Sequence, residues 1–332
     1  MAETVNISRL SEIISDEIFA EFGWTKFGPT NINWRCMDHE RHKKDTHPSD
    51  VIFYYDEPFK AVRTYVQTDL KSYAAASITK DALEGALISL AMQISCANIS
   101  EEWQEKYTQS HVNFDICGML FIYNHDGGFD RELIDLLEKI DFSKIDTPEN
   151  SKIFVVTPAQ IFWLYNVAQD LMKLRGKSGS DIPAREKCSF FYPQPVQKIF
   201  FREGKITAAN LETLTSRIII MKYARKPPYG GTGYIIYYEG DDQTEECYLY
   251  LIDYIRTREM LQEGNFVRIR SIDKHGEAPG KFQKARHRYI EQFGGDPNGE
   301  GTSQLIQDIE YELMAHTTAP FTTASIGLDY DR

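Results

Sequence analysis

Two acidic residues and a lysine carry the strongest chemical signal in the chain. Asp50 opens the apolar run DVIFYY, Asp69 sits at the end of the run VRTYVQTDL, and Lys71 follows two positions later. On an extended strand, residues two apart point to the same side, so Asp69 and Lys71 share a face. If the two runs pair through the short connection 56–61, Asp50 comes close to Asp69. Adjacent carboxylates repel unless a cation neutralises them. Oxygen donors of this kind suit Mg²⁺ or Mn²⁺, which keep several waters and use one or two protein carboxylates. Such an ion lowers the pKa of its water and stabilises charge on a phosphate, while an ammonium group beside it orients that water or holds the phosphate. These are the parts needed for phosphodiester hydrolysis.

The elements that must position them can be read outward from this pair. Residues 7–22 (ISRLSEIISDEIFAEF) have apolar positions near helical spacing, with Gly23 as the stop. Residues 31–37 (NINWRCM) read as a strand, followed by a polar loop, DHERHKKDTHPS. The runs 50–55 and 62–70 read as paired strands joined by a turn at Asp56–Pro58. Thr79 or Ser77 can cap a helix from about Lys80 to Cys96, and a further helical stretch begins at Ser100. Residues 112–123 (VNFDICGMLFIY) predict an apolar strand, 129–140 an amphipathic helix, 152–156 a buried strand, and Pro158 opens a helix to about Leu174. The order is α-β-β-β-α-β-α-β-α.

Asp50, then Asp69-Leu70-Lys71, in this helix–hairpin–strand–helix setting, resembles the PD-(D/E)xK nuclease superfamily over roughly residues 7–125. The resemblance implies that Asp50 and Asp69 are ligands to Mg²⁺ or Mn²⁺ and that Lys71 is the catalytic lysine. Members often add a Glu from the first helix; Glu12 and Glu17 stand there, with Glu17 preferred. Ser49 occupies the place of the named proline, with Pro48 one position earlier. Gln93 lies on the helix after the lysine, where some members carry Gln-x-x-x-Tyr, but Ala97 stands at the Tyr position. Bacterial members often serve restriction, repair or anti-phage systems, so the resemblance implies a prokaryotic defence setting.

Other groupings compete for attention. Cys36, His39, His42 and His47 are dense enough to suggest zinc, yet they match neither the C-x-x-C nor the paired knuckle pattern; the simpler reading is a polar loop above the site, with His47 near enough to Asp50 to contact phosphate or assist proton transfer. Ser72 and Tyr73 could hydrogen-bond a phosphate or simply begin a loop. Gly230-Gly231-Thr232-Gly233 reads as a turn between strands. Basic residues gather late: Lys281, Lys284 and Arg288 fall on one face of the helical run KFQKARHRYIEQF and could track a nucleic-acid backbone.

Composition bounds the rest. The chain has 332 residues, which suggests two domains. A net charge of −12 argues against a surface coated in cations for nonspecific nucleic-acid binding, though not against a local groove. Five widely spaced cysteines without a C-x-x-C fit a reducing compartment. Neither a signal peptide nor a membrane span is expected, so the cytoplasm is the expected location.

The expected fold class is α/β: a restriction-endonuclease-like mixed sheet flanked by helices over residues 1–175. A second α+β domain, ferredoxin-like in its β-α-β-β-α-β order, is expected over 188–294, with a polar tail over 295–332. The expected function is metal-dependent hydrolysis of nucleic acid, DNA favoured, with a partner protein or a second copy of the chain as regulator. The alternative is a catalytically inactive subunit of the same fold that binds nucleic acid or a partner protein.

Overall fold

The computed structural model describes residues 2–58, 60–149, 151–192, 207–240, 244–273, 276–293 and 300–321, excluding the side chains of 2–11 and 300. It divides into two units, Met1–Tyr165 with Thr318–Arg332, and Asn166–Thr317.

The first unit begins with α1 (Ala2–Glu21), which ends where Gly23 adopts a φ of 82°, a conformation open to glycine at little cost. Then come β1 (Thr25–Lys26), β2 (Ile32–Arg35), α2 (His39–His42), β3 (Thr46–Ser49), β4 (Val51–Asp56) and β5 (Arg63–Tyr73). After these follow α3 (Lys80–Ala97), α4 (Glu101–Tyr107), β6 (Phe114–Asn124), α5 (Ile134–Leu137), β7 (Ile153–Val156) and α6 (Pro158–Gly176), whose residues from Asn166 onward belong to the second unit. Thr79 caps α3 by accepting from Ala82 N at 3.2 Å, and Ser100 caps α4 through Trp103 N at 3.2 Å.

Five strands form one mixed sheet in the order β1-β4-β5-β6-β7. β1 and β5 pair antiparallel with β4, whereas β5–β6 and β6–β7 are parallel. The long connection through α3 and α4 is what lets β6 run parallel to β5. Alternation along the strands sorts the side chains into two faces. Phe53 and Phe121 meet Phe19 of α1 on one side, with ring centroids at 5.1 and 6.1 Å. Ile52, Tyr65, Leu120 and Ile122 pack with Leu87, Leu90 and Ile94 of α3 on the other. Gly118 of β6 permits that second contact, since a Cβ there would lie 2.6 Å from Ile94 Cδ1.

Several expectations change here. The strand expected at 31–37 does not join the main sheet; β2 pairs with β3 in a separate two-stranded hairpin, and β3 occupies the end of what read as a polar loop. The helix expected over 129–140 contracts to α5, because Phe129 N donates to Asn124 Oδ1 at 3.0 Å and Gly128 N to Asp126 Oδ1 at 3.1 Å. Those side-chain acceptors hold the segment in a turn.

The second unit contains β8 (Cys188–Phe190), α7 (Leu211–Leu214), β9 (Ile218–Ala224), β10 (Thr232–Tyr238), α8 (Glu245–Thr257), β11 (Phe266–Ser271), α9 (Ala278–Phe293), α10 (Glu300–Gln307) and β12 (Glu310–Leu313). In the β-α-β-β-α-β order expected from the sequence the first strand is 197–202, which lies outside the described residues. The strands stand side by side in chain order, and β10 and β11 are direct parallel neighbours. The βαβ unit is therefore not split by a further strand, as a ferredoxin-like sandwich requires. The polar tail is partly regular: β12 joins the edge of this sheet parallel to β11. Its acidic residues face basic ones across the ladder, with Arg268 Nε 2.9 Å from Glu310 and Arg270 Nη1 2.5 Å from Glu312. Arg270 also grips Asp170 of α6 through two bonds of 2.6 and 2.9 Å, and the Tyr237 hydroxyl donates to Asp170 at 3.0 Å. All three residues are buried.

Among the described residues no single helix is long and apolar enough to cross a membrane.

Candidate active site

The geometry around Asp50 follows from one register. Val51 pairs with Thr68, so Asp50, one step before β4, stands opposite Asp69, one step further along β5. Both side chains emerge on the face that carries Ile52 and Gln67, the α3 side. The two carboxyl groups are in hydrogen-bond contact. Asp69 is buried at 5% exposure, and Lys71 Nζ reaches its Oδ1 at 2.6 Å. Asp50 Oδ2 accepts the backbone N–H of Leu70 at 2.8 Å.

The electrostatics are set by burial and by the charges of the three groups on one another. Burial raises the Asp50 carboxyl to about 6, with the charge of Asp69 adding to the rise and the Leu70 amide and Lys71 opposing it. For Lys71, burial works against the ammonium, but the Asp69 carboxylate, by charge and by hydrogen bond, outweighs it and the net shift is upward. Two converging carboxyl groups with the Lys71 ammonium beside them fit a hard divalent cation.

A buried polar network holds this arrangement from behind. Gln67, two residues before Asp69, is fully buried. Its Oε1 accepts from Ser49 Oγ at 3.0 Å and from Trp103 Nε1 at 3.1 Å, and its Nε2 donates to Gln93 Oε1 at 2.8 Å and to Pro48 O at 3.2 Å. Trp34 Nε1 donates to Ser49 Oγ at 2.9 Å. The bend at Pro48-Ser49-Asp50 is thus tied to β5, α3 and α4 at once.

The remaining sequence-derived residues fall into place around this. Gln93 is buried and bonded to Gln67, where it acts through the network rather than at the carboxylates. Glu17 is exposed on α1, the helix that covers the opposite face of the sheet; burial raises its carboxyl, and its electrostatic neighbour is Tyr165. The structure does not bring it to Asp50, Asp69 and Lys71. Glu12 and Asp16 of the same helix pair with Lys26 at 2.9 and 2.8 Å. Ser72 Oγ lies 3.3 Å from His125 Nδ1. His47 is fully buried, and neither ring nitrogen has a hydrogen-bond partner; burial pushes its imidazole down to about 4.

On α9, Lys281 pairs with Glu277 at 2.8 Å and Arg288 with Glu245 and Glu246 at 3.1 and 3.5 Å, while Lys284 is exposed. Gln67 and the Leu70 amide were missed in the sequence: a glutamine inside an alternating strand looks like any polar residue, and a backbone donor leaves no trace in residue type.

An α-β-β-β-α-β order, a mixed sheet and an Asp…Asp-x-Lys set on one face make the first unit similar to PD-(D/E)XK nuclease domains. More particularly, residues 1–160 match the family model described as the GAPS4 protein PD-(D/E)XK nuclease domain. No curated protein and no solved structure matches the chain.

Proposed function

We propose that the chain is an Mg²⁺- or Mn²⁺-dependent nuclease that hydrolyses phosphodiester bonds, DNA favoured, in anti-phage defence. The observation that carries this reading is the contact between the Asp50 and Asp69 carboxyls with Lys71 Nζ 2.6 Å from Asp69. The family that matches the first 160 residues is one of anti-phage defence, which supports the setting.

Asp50 and Asp69 are the residues that would hold the divalent ion, which when bound supplies a Lewis acid to the phosphate and a more acidic water. Asp50 would hold the ion as a carboxylate, and the Leu70 N–H keeps that group aimed at the site. Lys71, relieved of its pairing with Asp69, carries the ammonium that contacts the attacking water or the scissile phosphate. Gln67, Ser49 and Gln93 hold the two strands' ends so that these groups need not reorganise. On α9, Lys284 is the cation best able to meet a phosphate, since Lys281 and Arg288 would first exchange their carboxylates. Control of cleavage falls to a partner protein or a second copy of the chain.

The test is a cleavage assay of the full chain with Mg²⁺ or Mn²⁺ on plasmid, linear duplex, single-stranded DNA and RNA, beside Asp69→Ala and Lys71→Ala. Metal-dependent cleavage lost in both variants supports the reading. Binding without cleavage under every condition points instead to an inactive nuclease-fold subunit.

A further inference from the structure

Four buried side chains, each from a different element or its flank, converge beneath the β2–β3 hairpin. Cys36 follows β2, His42 ends α2, His47 lies in β3, and Cys96 comes from the last turn of α3; their exposures are 1%, 6%, 0% and 1%. One ligand atom from each lies within 4.8 Å of the others. The two sulfurs are 3.8 Å apart. His42 Nδ1 is 3.3 Å from Cys36 Sγ and 3.4 Å from Cys96 Sγ.

We propose that Cys36, His42, His47 and Cys96 form a structural zinc site that pins the β2–β3 hairpin to the end of α3.

The spacing matches the ion. Zinc–sulfur bonds of about 2.3 Å and zinc–nitrogen bonds of about 2.0 Å at tetrahedral angles separate two sulfurs by about 3.8 Å and a sulfur from a nitrogen by about 3.5 Å. A disulfide would need the sulfurs at about 2.05 Å. Without an ion the cluster is hard to account for: His47 is sealed from solvent with both ring nitrogens unpartnered, and burying polar atoms without partners is costly. A metal bond satisfies one of them. The backbone N–H of Met37 donates to Cys96 Sγ at 3.4 Å, joined by that of Asp38; donors aimed at one sulfur suit a thiolate ligand. Two thiolates balance the charge of the divalent ion. A mixed sulfur and nitrogen tetrahedron selects zinc over the hard cations suited to the carboxylate pair, and four protein ligands leave no open position, so the site is structural.

The sequence grouped three of these residues, Cys36, His42 and His47, but with His39 in the place of Cys96. His42 and His47 have a knuckle-like separation, but His39 is exposed and bonds Lys44 O at 3.0 Å. The fourth ligand comes from a residue 60 positions beyond Cys36. The consequence for the nuclease site is direct, since His47 lies three residues before Asp50 on the segment whose bend delivers that carboxylate.

The test uses the full chain, expressed with zinc in the medium and purified without chelator. Elemental analysis is expected to find about one zinc per folded chain. Cys36→Ser and Cys96→Ser should each fall to background, while His39→Ala and Asp69→Asn keep their zinc. Wild-type protein reloaded with Co²⁺ should show the intense visible bands and the near-ultraviolet thiolate charge transfer of a tetrahedral sulfur–nitrogen site. The Co²⁺ spectrum decides the matter even if the cysteine variants fail to fold. A folded wild-type protein with neither zinc nor a thiolate–cobalt band overturns the proposal. So does zinc retained by both cysteine variants, zinc lost from Asp69→Asn, or iron in its place.

Discussion

The backbone N–H of Leu70 donates to Asp50 Oδ2 at 2.8 Å, so the strand that carries Asp69 also fixes the carboxylate opposing it. Because that donor is main chain, no substitution short of proline removes it. The relative placement of Asp50 and Asp69 therefore depends on strand register and on the Gln67 network, and the predictions below separate these contributions.

Lys71→Met removes the ammonium that pairs with Asp69 at 2.6 Å and leaves both carboxylates in place. The cation competing for them is gone, so Mn²⁺ should bind at least as tightly as in wild type by calorimetry. Cleavage should fall roughly 10²–10⁴-fold, the range for loss of a positioned proton-transfer or charge-stabilising group. Loss of metal binding together with activity would place Lys71 in the structure of the site rather than in its chemistry.

The raised Asp50 carboxyl gives a pH signature. In chelator, the folded protein holds its proton up to about 6, whereas the unfolded chain releases it near about 4. The stability this supplies is full below the lower value and is lost as pH rises through the upper one. Asp50→Asn escapes that loss, so at pH 8 the metal-free variant should melt higher than metal-free wild type by roughly 3–8 °C. The gap should close near pH 4. Conversely, Mn²⁺ affinity of wild type should weaken as pH falls below about 6, because proton and cation compete for one group. Identical melting of the two proteins at pH 8 would contradict the assignment.

Gln67→Leu strips the acceptor shared by Ser49 and Trp103 and the donor to Gln93 and Pro48. Stranding several buried polar groups should cost about 2–4 kcal/mol in urea unfolding, and cleavage should drop with no change at the three site residues. Gln93→Leu breaks one of those bonds and should cost about half as much. A neutral Gln67→Leu would mean the network does not hold the Asp50 bend.

In the second unit, Asp170 and Arg270 form a fully buried two-bond pair. Asp170→Asn leaves the buried guanidinium with Glu312 at the sheet edge as its remaining carboxylate and should destabilise that unit by about 3 kcal/mol. Replacing both partners with apolar residues should cost less than the single change, measured by denaturant unfolding. A cost for the double variant equal to the sum of the single ones would show that the two do not act as a pair.

The site was legible in the sequence to the extent that it is local. Asp69 and Lys71 are two apart on a strand, and Asp50 reaches them through a tight antiparallel link, so alternation and hairpin pairing suffice to bring them together. Glu17 needs a further fact, namely which face of the sheet α1 covers, and the pattern of α1 alone does not contain it. Cys96 joins Cys36 and the histidines only because α3 crosses back beneath the β2–β3 hairpin. The same limit applies to β12: Glu310 and Glu312 read as a polar tail until their register against Arg268 and Arg270 is known. The shortening of α5 turns on Asn124 and Asp126 capturing backbone amides, which apolar periodicity overlooks.

The most direct measurement is the anomalous scattering of a crystal soaked in Mn²⁺. The account predicts an ion bonded by an oxygen of Asp50 and an oxygen of Asp69 at about 2.0–2.2 Å, the range for a small hard cation, with Lys71 displaced from Asp69 and close to a metal-bound water. Density absent from that point, with the two carboxyls still in contact and Lys71 still paired with Asp69, would contradict a metal-dependent nuclease site.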